Sequence, residues 1–346
     1  MTPGNDAALS VSGLRTTLAF RDRSVDVVRG VSFSVRRGET LALVGESGCG
    51  KTMTALSIMR LLPDPPARLT GGKVLLEGRD ITALPEDEMR RLRGDSMSMV
   101  FQEPLTALDP VFSIGDQLVE LIRAHRRVSK QTASDQAVEI LREVQIPSAE
   151  TRMKDYPHQL SGGMRQRVMI AMALVLDPAV LLADEPTTAL DVTIQAQILD
   201  LIKAEQEQRQ LGVLLITHNL AVVSHVAQRV AVMYAGEIVE EAPTAQIFAE
   251  PKHPYTQGLL RSLPSTTEDR QYLYSIPGRV PDPRSLPPAC LYAPRCAFAV
   301  DRCWEEHPRL EDVTAAHWLR CWNPQPFSEI EGMEGSEEQR LAAAAE

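Results

Sequence analysis

Long apolar runs are missing from this 346-residue chain. The longest, Val168 to Leu176, counts nine residues, well short of the roughly twenty that cross a bilayer. No membrane-spanning helix is therefore expected, and membrane contact must come through a partner. Met1 to Ser12 offers neither a basic segment nor an apolar core, so no export signal is expected there. An excess of positive charge is missing as well. The formal net charge is −10, which argues against general affinity for nucleic acid. Half of it lies in Phe327 to Glu346, where six Glu stand against one Arg, so residues 326–346 are expected to form a disordered acidic tail. Cysteine is scarce, at five residues, and none is spaced C-x-x-C, the usual knuckle of a zinc ribbon. No internal repeat is present. What remains is ordinary globular material, 44% hydrophobic and 24% charged, enough for one large domain or two.

The stretch Gly45-Glu46-Ser47-Gly48-Cys49-Gly50-Lys51-Thr52 fits G-x-x-x-x-G-K-[ST] and lies between the apolar run Thr40–Val44 and a helical pattern that starts at Met53. A strand before and a helix after are the context this motif requires. Glycines let backbone N–H groups turn around phosphate oxygens, and a helix start adds partial positive charge. Lys51 is expected to reach the β- and γ-phosphates of a nucleoside triphosphate, and the Thr52 hydroxyl to ligate Mg²⁺. The bland reading is a glycine-rich turn with a chance lysine; the flanks argue against it.

Residues 8–37 alternate apolar and polar as antiparallel strands do. Phe20, beside them, has two readings: stacking on an adenine ring or packing in the hairpin. The helix after the phosphate loop should run over 51–62 and end at Pro63, Pro65 and Pro66, and Gly71–Gly78 reads as a returning hairpin. From about 104 to 178 the spacing becomes helical, with Ile114–Arg127 and Gln131–Val144 as the clearest pieces. Strand and helix then alternate: Val180–Ala183, a helix over 191–210, Val213–Ile216 and a helix over 219–227. Short buried runs of this kind suit a parallel sheet covered on both faces.

Asp184-Glu185 ends the buried run Val180–Ala183. There Asp184 can hold Mg²⁺ and Glu185 can act as general base on an attacking water, although acidic pairs also cap helices. His218 follows the next buried strand and so shares that edge, where its ring could meet the γ-phosphate and water. Gln102, at the end of Met97–Phe101, could sense Mg²⁺ or water from another loop. Taken singly, each is more ordinary as a capping or solvated residue.

Leu160-Ser161-Gly162-Gly163-Met164-Arg165-Gln166-Arg167 completes a series that resembles the ATP-binding subunits of ABC transporters. The phosphate loop, Gln102, Ser161–Gln166, Asp184-Glu185, Thr188-Ala189-Leu190-Asp191 and His218 stand in that family's order, and the resemblance covers about residues 8–325. It implies an α/β P-loop fold with a RecA-like core, an antiparallel β subdomain and an inserted helical subdomain. It also implies that Ser161, Gly162, Gly163 and Gln166 of one chain serve the ATP held by Gly45–Met53 of another. ATP then closes the dimer and hydrolysis reopens it. Tyr156-Pro157-His158-Gln159, His253–Leu260, Ile276-Pro277-Gly278 and Pro294-Arg295-Cys296 look like oligopeptide and dipeptide importers.

That narrower resemblance implies an ATPase at the cytoplasmic face of the inner membrane. Its implied partners are a second ATPase subunit, two permeases and an extracytoplasmic peptide-binding protein, with no nucleic acid. The domains expected are 8–250 for the ATPase and 251–325 for a small extension. In the extension, Cys290, Cys296, Cys303 and Cys321 lie on Pro-rich loops, and with no export signal such clustered thiols suggest a metal site rather than disulfides. A [4Fe–4S] cluster tolerates their wide spacing, as the resembling subunits imply. Zn²⁺ and unliganded thiols are the alternatives; His307 and His317 could substitute as ligands, although histidines of a helix surface or core are the more ordinary reading. Two rival functions remain: a soluble ATPase of translation or DNA repair, which usually carries two cassettes or a coiled-coil insert, and a metal or redox sensor that only binds nucleotide.

Overall fold

The computed structural model describes residues 6–102, 107–188, 190–263, 274–314 and 316–327. Its strands, in chain order, are β1 (Ala7–Ala19), β2 (Ser24–Arg36), β3 (Thr40–Val44), β4 (Ala67–Leu76), β5 (Arg79–Asp80) and β6 (Met97–Val100). They continue with β7 (Val180–Asp184), β8 (Gly212–Thr217), β9 (Arg229–Tyr234), β10 (Glu237–Pro243), β11 (Glu311–Thr314) and β12 (His317–Leu319). The alternating strands make a four-stranded antiparallel sheet in the order β2-β1-β4-β5. The continuously apolar strands make the centre of an eight-stranded sheet, β11-β12-β10-β9-β3-β8-β7-β6, in which β9, β3, β8, β7 and β6 are parallel.

Period decides the layer each strand joins. In β3, β7 and β8 every residue is buried, because helices cover one face and other layers the other. The antiparallel strands bury Leu9, Val11, Leu14, Val31, Phe33 and Val35 against the helix Lys51–Met59 and the sheet behind it. Each such side chain contributes about 1.5–3 kcal/mol by leaving water. That helix stops three residues before the expected 62, since Arg60 turns left-handed and its N–H closes on the Leu56 and Ser57 carbonyls.

The helical region contains Ile114–His125, Lys130–Glu143 and Gly162–Leu174, and Ser113, Ser129 and Ser161 cap the three N-termini by accepting the N–H three residues on. These helices share one core with Val192–Arg209 and the sheet.

Three features go beyond the sequence reading. A charged helix, Glu86–Asp95, buries only Met89. The hairpin β9–β10 carries Glu237, Glu240 and Glu241 at 6% exposure or less, so polarity concealed a buried strand. Partners explain how it folds: Glu241 pairs with Arg229, Glu240 with His317, and Glu237 with His307, Arg320 and Arg29. Finally, the extension after 250 is not confined to loops. β12 pairs with β10, Glu240 facing Leu319, so the extension prolongs the main sheet. The acidic tail lies, from residue 328 on, outside the described residues, and so does Ala189.

Candidate active site

The parallel strands end together, and the loops that leave them converge. Gly45–Gly50 follows β3, Glu185 follows β7, His218 follows β8 and Gln102 follows β6. Ligands meet open α/β sheets at this carboxyl edge. At Gly45 a Cβ would stand 2.2 Å from the Met233 carbonyl oxygen, so the loop's close approach to β9 requires glycine. Lys51 is 5% exposed and its Nζ donates to the Gly45 and Glu46 carbonyls at 2.8 and 3.0 Å, which lays the ammonium across the loop. Cys49 is buried beneath, and burial pushes its thiol up, so it is neutral packing. Ser47, Gly48 and Thr52 are open to solvent, and Met53 is half-buried behind them.

The Thr52 hydroxyl donates to Asp184 Oδ1 at 3.2 Å. Burial pushes the Asp184 carboxyl up to about 6, against the Thr52 bond, with the Glu185 charge adding to the rise. Glu185 behaves oppositely. Burial works against its ionisation, but bonds from His218 and Thr188 outweigh that and hold its carboxyl below the usual range. Its Oε1 meets His218 Nδ1 at 3.0 Å, and its Oε2 accepts from Gln102 Nε2 at 3.0 Å and from the Thr188 hydroxyl at 2.9 Å. The sequence named Thr188 only as part of a motif. Its place three residues after Glu185, in a turn closed by Thr188 N–H on the Glu185 carbonyl at 3.1 Å, was the available signal.

Two neighbouring carboxyls thus differ: one stays ionised as a base must, the other sits where a cation would relieve it. Their donor set of hydroxyl, carboxylates and amide suits Mg²⁺.

Ser161 is exposed at the start of Gly162–Leu174, whose contacts run to Leu190 and Ile194. Gln166 turns inward at 2% exposure, while Ser161 is exposed and Gly162 and Gly163 are half-buried. Phe20 is 47% exposed in the turn after β1, its N–H bonded to the Arg23 carbonyl, which removes the hairpin-core reading.

In the extension Cys303 is buried and Cys290, Cys296 and Cys321 are half-buried. Burial pushes Cys296 up to about 11 and Cys321 up to about 12, and in both the neighbouring thiols push further in the same direction. All four sulfurs therefore share one electrostatic neighbourhood. Among the described residues no three Cys, His, Asp or Glu side chains close on a point as they would around a single ion. His307 bonds the Ala289 carbonyl and Glu237, and His317 bonds Glu240, so neither is a spare ligand.

Similarity agrees with this geometry. Residues 28–188 match the family described as ABC transporter, and residues 239–303 match the oligopeptide/dipeptide transporter C-terminal region. A putative peptide import ATP-binding protein of Brucella melitensis is 51% identical over 324 residues, covering 90% of this chain and 96% of its own. The chain belongs to the ATP-binding subunits of ABC transporters. Other members include the oligopeptide transport ATP-binding protein AppD of Bacillus subtilis, 47% identical with 95% and 99% of the two chains covered. The dipeptide transport ATP-binding protein DppD of the same organism is 48% identical, with 92% and 95% covered. Among solved structures, the dimeric post-hydrolysis state of the ATP-binding cassette MJ0796 bound to ADP and Pi superposes with a TM-score of 0.61 at 26% identity. It covers 68% of this chain and 98% of that one. This ABC ATPase hydrolyses ATP, and no described helix is long and apolar enough to cross a membrane.

Proposed function

We propose that this ABC ATPase energises import of di- and oligopeptides. The observation that carries this is the match of residues 239–303 to the peptide-transporter C-terminal region, together with relatives that cover nearly the whole chain. The subunit works from the cytoplasmic face of the inner membrane, docked on two permeases that take peptide from an extracytoplasmic binding protein. Its dimer partner is a paralogue or a second copy. Residues 8–250 form the ATPase domain, with 104–178 as its helical subdomain, and 251–325 the extension.

Hydrolysis here needs positioning and charge neutralisation more than covalent chemistry. Lys51 leaves the Gly45 and Glu46 carbonyls for the β- and γ-phosphates. Thr52, Asp184 and Gln102 would hold Mg²⁺, which would neutralise phosphate charge. Glu185 takes a proton from the attacking water, and His218, with its Nδ1 on Glu185, keeps the ring aimed and its Nε2 free for the γ-phosphate. Ser161 and the glycines behind it offer the partner's nucleotide a second helix start.

Cys290, Cys296, Cys303 and Cys321 would hold a [4Fe–4S] cluster. Four cysteines on Pro-rich loops, widely spaced and without a C-x-x-C knuckle, support a cluster over Zn²⁺. Bound there, it would supply a rigid cross-link for the extension.

Copurification of the native complex and measurement of peptide-stimulated ATPase in vesicles test the assignment. Permeases and stimulation by peptide are expected. Translation or repair components in their place, with salt-sensitive nucleic-acid binding, would overturn it.

A further inference from the structure

Glu46 has every polar group committed, and two of its partners come from the extension. Its N–H donates to the Tyr255 hydroxyl at 2.8 Å. Its carbonyl accepts from Lys51 at 3.0 Å. Its carboxylate takes both arms of the Arg295 guanidinium, at 2.7 and 3.0 Å. This two-point grip is the geometry that distinguishes Arg from Lys.

Arg295 is held as firmly as it holds. Its side chain is 4% exposed, its Nε donates to the Pro277 carbonyl at 2.7 Å, and its guanidinium lies 5.8 Å from the centre of the Tyr234 ring. Tyr234 in turn meets Tyr255 and Tyr292 edge-on, at centroid distances of 4.8 and 5.2 Å. The three rings are at most 5% exposed, so they form a wall that cannot shift piecemeal. Tyr292 and Arg295 lie between Cys290 and Cys296 in the chain. The cysteine-bearing segment is thus packed through tyrosines, and bonded through one arginine, to the first turn of the phosphate loop.

We infer that Arg295 and Tyr255 are positioning residues of the ATP site: the extension latches Glu46 and so fixes the phosphate loop in its nucleotide-accepting shape. The inference rests on the ATPase reading of the loop and not on what the cysteines bind. A loop held in shape beforehand gives up less freedom when it closes on phosphates, so the latch acts on nucleotide affinity more than on the chemical step.

The test uses the full chain, Mg-ATP as titrant, and KM and kcat in the assembled ATPase. Arg295→Ala should raise Kd and KM by about tenfold or more, the low end of what a bond to a charged group supplies, with kcat changed less. Glu46→Ala should match it, and the double variant should be no worse than either single. Arg295→Lys keeps the charge without the two-point grip and should recover part of the loss. Tyr255→Phe keeps the ring wall and removes only the acceptor for the Glu46 N–H. It should raise KM without lowering the melting temperature much, and it decides the matter if Arg295→Ala does not fold. Unchanged Kd and KM in Tyr255→Phe and Arg295→Ala, or additive losses in the double variant, would overturn the latch.

Discussion

His218 Nδ1 lies 3.0 Å from Glu185 Oε1, joining the end of β8 to the turn after β7. The bond ties the orientation of the ring to a carboxylate that stays ionised because His218 and Thr188 outweigh its burial.

Glu185→Gln keeps the shape and a hydrogen-bonding side chain but cannot take a proton. Mg-ATP binding should persist while single-turnover phosphate release falls by at least about a hundredfold, the lower range of general-base catalysis. The variant should also accumulate as an ATP-bound dimer in size-exclusion chromatography. Turnover at the wild-type rate would remove Glu185 from its role.

Gly163 stands where the helix Gly162–Leu174 meets the helix Val192–Arg209. A Cβ there would come within 2.8 Å of Ile194 Cγ2, a branched methyl with little freedom to move. Gly163→Ala should therefore cost about 1–3 kcal/mol in overpacking and tilt the Ser161 end away, weakening ATP-driven dimerisation. Adding Ile194→Ala removes the colliding methyl and should restore much of both. Equal melting temperatures for single and double variants would show that space is not what Gly163 supplies.

The motifs were legible because each is local: a glycine loop between a strand and a helix, an acidic pair ending an apolar run, a Ser-Gly-Gly helix start. Four of the five parallel strands, β3, β6, β7 and β8, were legible for the same reason, as short apolar runs; β9 was not. What escaped depends on partners distant in the chain. Glu240 and Glu241 are buried only because His317 and Arg229 stand beside them, and β12 is three residues that become a strand only against β10. The pair Glu46–Arg295 spans 249 positions, and no spacing announces it. The turn Ala235-Gly236 between two apolar stretches was a readable hairpin signal for β9–β10.

Protonation should tune how firmly the extension docks. The bond to Glu237 raises the His307 pKa, so this contribution is full below the unfolded value of about 6.5 and is lost as pH rises through the higher folded value. Glu237 is lowered: its burial is outweighed by His307 and the Arg320 charge, so its contribution is present above about 4.5 and lost as pH falls through its folded value. The window lies between those two limits. The melting-temperature difference between wild type and His307→Gln should be largest near pH 5.5 and fade toward pH 8. A difference constant across that range would mean that His307 acts by packing alone.

If the extension holds the proposed cluster, removing it should be felt at the ATP site. Purified without oxygen, the chain should be brown, with about four irons and four sulfides per subunit, and a colourless protein holding one zinc would end the cluster assignment. Chelation or air should bleach it and free the segment 290–303, in which burial raises the Cys290 and Cys296 thiols. Arg295 sits beside Cys296, so loss of order there slackens the grip on Glu46 and should raise the Kd for Mg-ATP in parallel with the fading colour. In Arg295→Ala the grip is already gone, and bleaching should change the Kd little. An equal rise in wild type and variant would place the metal's influence on some route other than Arg295.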